Sequence, residues 1–211
     1  MKIKQKQVIL GVSTIAMSLM ITTVAVAAGD SGSVGLSVTV GENMTLDCGA
    51  DVDIDGGGSL IAGSPVSNST TCTVTTNDED GYNLAIVDDN GAGDVVLNNS
   101  NGSGSDFEIA DKTAWNLASP NAATWSGTGL GFSVYASTAT KNTTWWGTGN
   151  SCHDSNNLYA GVPDTNTNIM EHTSYSNSST TTSICYRADV PSTQASGEYT
   201  GSVTYTATGR P

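Results

Sequence analysis

Carboxylates at alternate positions are the first residues in this chain that could do chemistry. Asp51-Val52-Asp53-Ile54-Asp55-Gly56 reads as the first half of a calcium loop, with Asp51, Asp53 and Asp55 as ligands and glycine in sixth place. The twelfth position, where a bidentate glutamate completes such a loop, is Ala62. The same residues read equally as a strand with its acids outward and Val52 and Ile54 inward. The acidic turns at 77–80 and 88–94 are further candidates for calcium. No other cofactor is expected.

Indole rings offer a second chemistry, because their flat faces stack on sugars. Trp145-Trp146 lies in a polar stretch, and adjacent strand residues face opposite ways. One ring is therefore expected in the core and the other at a rim where a glycan could stack. Nucleophilic catalysis is poorly served. The only histidines are His153 and His172, and His153 follows Cys152, which is expected to be in a disulfide. No Gly-x-Ser-x-Gly elbow, zinc-protease motif or phosphate loop occurs. No catalytic residue is assigned, and the protein is not expected to be an enzyme.

These candidates need elements to position them, and the compartment decides which. Lys2, Lys4 and Lys6 precede an apolar run, Val8 to Val26, that ends in small residues around Ala27 and Ala28. This pattern predicts a signal peptide over residues 1–28 and a single secreted domain over 29–211. The mature part keeps Lys112, Lys141, Arg187 and Arg210 as its basic residues, against 20 Asp and Glu. Such a surface repels nucleic acid and anionic headgroups, so neither nucleic acid binding nor membrane insertion of the mature chain is expected. Cys48, Cys72, Cys152 and Cys185 are even in number in an oxidising space, which predicts two disulfides. Three pairings are open, and locality favours Cys48–Cys72 with Cys152–Cys185.

Alternation of apolar and polar residues recurs along the whole chain. Val34, Leu36, Val38 and Val40 share one face, and the parity runs on through Met44, Leu46 and Cys48. Cys72, Val74 and Thr76 precede the polar turn 77–81, and Tyr82, Leu84 and Ile86 follow it, which predicts a hairpin. Asp88-Asp89-Asn90-Gly91 is a second turn, leading to Val95, Val96 and Leu97. Leu130, Phe132, Val134 and Ala136 form another strand, and 184–188 and 199–207 form the last two. About seven short strands with long polar loops at 98–128 and 138–182 predict an all-β, antiparallel sandwich.

The order of landmarks resembles spore-coat protein U and related fimbrial subunits, which have an immunoglobulin-like pilin sandwich. Leu46-Asp47-Cys48, Thr71-Cys72-Thr73-Val74, Gly131 to Tyr135 with Thr144 to Gly147, and the ending Gly197-Glu198-Tyr199 to Tyr205 carry the likeness. Trp115-Asn116-Leu117 also matches the short motif of WxL-like surface proteins. The resemblance implies an incomplete sheet filled by a strand from the next subunit. Val34, Leu36, Val38 and Val40 would then be the donor, although the same alternation suits the first strand of the chain's own domain. The expected function is therefore a structural or adhesive surface protein, a pilus or coat subunit whose partners are copies of itself or other surface subunits. A secreted glycan-binding module aided by calcium is the alternative.

Overall fold

Strand-forming residues dominate, and in the computed structural model, which describes residues 37–90, 93–175 and 178–211, nearly all of the regular secondary structure is β-strand. The expected signal peptide, with Val34 and Leu36, lies outside the described residues. The chain divides into two compact units, Met1–Thr39 and Val40–Pro211, and every strand named below belongs to the second. The strands are β1 (Met44–Cys48), β2 (Val66–Thr76), β3 (Tyr82–Asp88), β4 (Leu97–Asn98), β5 (Glu108–Ile109) and β6 (Ala123–Thr124). After β7 (Gly129–Ser137) comes one short helix, α1 (Thr143–Trp146), then β8 (Leu158–Tyr159), β9 (Thr167–His172), β10 (Thr180–Asp189) and β11 (Val203–Gly209).

All the strand ladders are antiparallel. One sheet runs β1-β2-β10-β7, a second runs β11-β3-β9, and β4-β5 and β6-β8 are two-stranded. Both expected disulfides form, Cys48–Cys72 and Cys152–Cys185. Cys48 and Cys72 are direct register partners on β1 and β2, so this bridge staples β1 to the strand it pairs with. Cys185 of β10 is fully buried, and its bridge ties the loop at Cys152 to that strand. Loops closed over separations of 24 and 33 residues should each restrict the unfolded chain by about 3–4 kcal/mol. Among the described residues no helix is long and apolar enough to cross a membrane.

One sequence expectation fails on topology. The segments around the turn 77–81 do not form a hairpin: β2 pairs with β1 and β10, while β3 pairs with β9 and β11. The turn instead carries the chain from one sheet to the other. Both strands have buried faces, and both edges of each are already taken, so their apolar side chains meet through the core rather than along a ladder. Gly81 makes the crossing feasible. Its φ is +86°, and a β-carbon there would strike the carbonyl of His172. The second turn, at Asp88, leads to β4 as its sequence suggests, and β4 pairs with β5.

Residues from the two larger sheets share one hydrophobic cluster. Val74 and Ile184 from the first and Leu84, Ile86, Ile169 and Met170 from the second are almost wholly buried in it. Aromatic rings fill the rest. Trp146 has no exposed surface and packs on Trp115 at 4.6 Å and on Phe132 at 5.0 Å between centroids. Its Nε1–H donates to the Ile169 carbonyl at 2.8 Å. Trp146→Ala should therefore lose about 3–5 kcal/mol of unfolding free energy in urea titrations. Trp146→Phe should cost less, but leave the Ile169 carbonyl without that donor. A loss below 1 kcal/mol for the alanine variant would show that the ring is not a core element.

Candidate functional site

An edge strand offers a row of unpaired amides and carbonyls, so sheet edges are the first places to look for a site. Two edges come together here. Among the described residues β1 has only β2 as a ladder partner and β11 has only β3, and β1 runs close beside β11 without pairing to it. Between and below them lies a groove of about 290 Å³. Its floor is apolar, formed by Leu130, Val96, Val203 and the rings of Tyr186 and Tyr205, and Val52 and Ile54 stand on the β1 side. At one rim Gly201 passes the Val96 carbonyl so closely that a β-carbon would collide with it.

The two tyrosines join the sheets beneath the groove. The hydroxyls of Tyr186 on β10 and Tyr205 on β11 are hydrogen-bonded to each other. Burial is the main cause that raises both phenols above their ordinary value, so both remain protonated and neutral. On the far side Tyr82 and Thr180 make the equivalent link, hydroxyl to hydroxyl at 2.6 Å.

The predicted donor positions stand apart from any ladder. Residues 37–43 carry no strand, and Val38 and Val40 are 88% and 76% exposed. The expectation that strand alternation runs unbroken from residue 34 to Cys48 is corrected: among the described residues the strand begins at Met44. Chain on the N-terminal side of β1 thus presents large apolar side chains to solvent, which globular chains generally bury.

Asp51, Asp53 and Asp55 lie in a glycine-rich turn beside the groove and not in a strand. Asp55 accepts from the Gly57 amide at 3.0 Å, all three carboxylates are exposed, and Val52 and Ile54 are half-buried as the alternation requires. Among the described residues no three His, Cys, Asp or Glu side chains are close enough together to hold a metal ion. Trp145 and Trp146 also differ from expectation. They sit on helix α1, capped by Asn142, and not on a strand. Trp146 is core, and Trp145 is half-buried against Trp115 at 5.6 Å, so the pair divides between core and rim as expected, but from a helix.

The chain matches no family model, no curated protein and no solved structure. The site must therefore be read from its own geometry.

A group of carboxylates that the alternation rules had not singled out lies behind Val96 and Val203, two of the residues that line the groove. Asp88, at the end of β3, is the register partner of Val203. Asp111 holds the Val96 amide at 3.0 Å. Burial, then the nearby charges of Asp88 and Asp164, push the Asp111 carboxyl up to about 7, against the pull of the Val96 amide. Burial likewise raises Asp88, which also faces Asp164, Asp89 and Asp94. A carboxyl raised on folding stabilises the folded state below its ordinary value of 3.8, and that contribution disappears as pH rises through about 7. In metal-free buffer, unfolding should become easier between pH 5 and pH 8, and Asp111→Asn should flatten that slope. An unchanged slope in the variant would exclude Asp111 as its source.

Proposed function

We propose that this protein is a non-catalytic structural or adhesive subunit of an extracellular assembly, joined to its neighbour by a donated β-strand. The carrying observation is the pair of adjacent edges, β1 and β11, each paired on one side only among the described residues and lying beside an apolar groove. An extended segment entering there would satisfy main-chain groups along an edge and seat alternate side chains below.

The strand order supports an immunoglobulin-like reading. Sheet β1-β2-β10-β7 has the order A-B-E-D, and β11-β3 has the order F-C, with β9 on the outer side of C. On that reading the place of strand G is beside β11, where the groove lies. Val34, Leu36, Val38 and Val40 have the spacing of a segment that could take its place. The two disulfides and the acidic surface fit a life outside the cytoplasm.

Exported protein should appear in size-exclusion chromatography and negative-stain microscopy as strand-exchanged oligomers or filaments. Val38→Asp with Val40→Asp removes two apolar anchors, each worth about 1.5–3 kcal/mol when buried. The double variant should dissociate at least about 100-fold more readily while keeping its far-UV spectrum and both disulfides. A wild-type protein that stays monomeric at high concentration, with residues 33–40 protected from hydrogen exchange, would overturn the reading.

A further inference from the structure

Basic side chains are scarce in this acidic protein, and two of them meet at one ring. Beyond residue 28 there are four, Lys112, Lys141, Arg187 and Arg210, against 20 Asp and Glu. The Lys112 ammonium stands 4.4 Å from the centre of the Trp125 ring, and the Arg187 guanidinium stands 5.2 Å from it. With acids so abundant, both would be expected to hold a carboxylate. Neither does. Among the described residues only Arg210 makes an ion pair, with Glu171.

Three elements assemble this cluster. β6 pairs with β8, Ala123 opposite Tyr159, which brings Trp125 edge-on to Tyr159 at 5.4 Å. Gly131 of β7, the register partner of Arg187, makes room for it. A β-carbon at Gly131 would press on the Lys112 stem at 3.0 Å and on the Trp125 ring at 3.2 Å. Trp125 and Tyr159 also pack with the Cys152–Cys185 bridge, which fixes their place. Beside the ring lies a cleft of about 180 Å³, lined by Lys112, Thr113, Asn121, Thr124, Trp125 and Tyr159 among others.

The cations lack an anion. Lys112 has three N–H donors and gives two, to the carbonyls of Ser126 at 2.6 Å and Thr128 at 2.7 Å. Both acceptors are neutral, so the charge is not cancelled. Burial pulls the ammonium below its ordinary value, and Asp189 opposes this from beyond ion-pair distance. One oxygen of Asp189 is itself held by the Gly63 and Val190 amides. Arg187 Nε is buried with no hydrogen-bond partner among the described residues. The acidity of the whole molecule repels a polyanion, so the fitting ligand has one negative charge on an otherwise neutral body. The lining describes that body, with hydroxyls at Thr113 and Thr124 and a half-buried indole.

We propose that this cleft binds a single acidic sugar residue, with its carboxylate on the Lys112 ammonium, its hydroxyls on Thr113 and Thr124, and its C–H groups on the open part of Trp125. Arg187 does not line the cleft and acts through its charge. The cleft shares no lining residue with the groove beside β11, so sugar binding stands whether or not a strand is donated there.

The test titrates the full exported protein, isotopically labelled, with methyl glucuronide by NMR, and with methyl glucoside as its neutral twin. The glucuronide should shift the Trp125 indole N–H with a dissociation constant of about 1 mM. The glucoside, without the charge-assisted bond, should bind at least about 10-fold more weakly. Sodium acetate should bind no better than the glucoside, which separates a sugar site from a bare anion site. Lys112→Gln should erase the difference between the two sugars, while Arg210→Gln removes the same charge elsewhere and should preserve it. Thr124→Trp, on an exposed residue, fills the cleft and should abolish binding, which keeps the test decisive if Lys112→Gln unsettles its loop. An unmoved Trp125 signal, equal affinity for the two sugars, acetate binding as tightly as glucuronide, or binding that survives Thr124→Trp would each overturn the assignment.

Discussion

A buried polar atom must find a partner, and that constraint organises this protein because its largely aliphatic core also takes in rings that carry polar atoms. Tyr82, Trp115, Trp146 and Tyr186 stand among the aliphatic residues of that core. Each brings a donor inside. Trp115 and Trp146 donate to consecutive carbonyls, Asn168 at 2.8 Å and Ile169 at 2.8 Å, and so fix the bulged edge strand β9 against the helix and loop that carry them. Tyr82 and Tyr186 find hydroxyls on the opposite sheet. These bonds are directional where apolar contact is not, so they hold the two sheets in one register over each other. Net strength per bond is modest, about 1 kcal/mol, yet leaving any of these groups unpaired costs more than making the bond returns.

The same constraint gives meaning to the exceptions. At β1 and β11 main-chain groups face outward on strands that are long enough to pair again. Natural proteins blunt such edges with charge, proline or bulges. β11, Val-Thr-Tyr-Thr-Ala-Thr-Gly, carries no charge and no proline. It is paired over its full length with β3, so its backbone is already straightened into the geometry that a further strand requires. An edge kept in this condition beside an apolar groove is difficult to explain as a finished surface. It is simple to explain as a surface that something covers.

Much of the strand pattern was legible in the residues, because period-two alternation reports burial directly. Leu130, Phe132 and Val134 are buried as their spacing requires, and the disulfides pair as locality suggested. Connectivity was not legible. The turn 77–81 looks like a hairpin because a hairpin and a sheet-to-sheet crossing both need polar residues and a positive-φ glycine, and only the long-range partners of β2 and β3 distinguish them. Tryptophan pairs misled for a related reason. Neighbouring residues on a strand and on one turn of helix can both split between core and rim, and Thr143-Thr144 gave little helical signal beyond the Asn142 cap. The acidic pocket was visible only as one acidic turn among several. Asp111 and Asp164 enter it from 20 or more residues away, and nothing local marks a residue whose second oxygen will be buried.

The edge and the acidic pocket share an element, and that element links them. Val96 is held through its amide by Asp111, and it also lines the apolar groove. Its carbonyl is gripped by Asn90 of the turn and is crowded by Gly201 just before β11 begins. Asp88 is paired in register with Val203, the first residue of β11, and the Asp89 amide donates to the Ser202 carbonyl at 3.3 Å. Repulsion among the carboxylates therefore pulls on the same short stretch of chain that forms the groove wall and launches the open edge. Neutralising them tightens that wall, and a strand seated in the groove would in turn restrain Val96 and Val203 against the pocket. Because such coupling must be reciprocal, whatever favours the closed acidic cluster also favours an ordered edge.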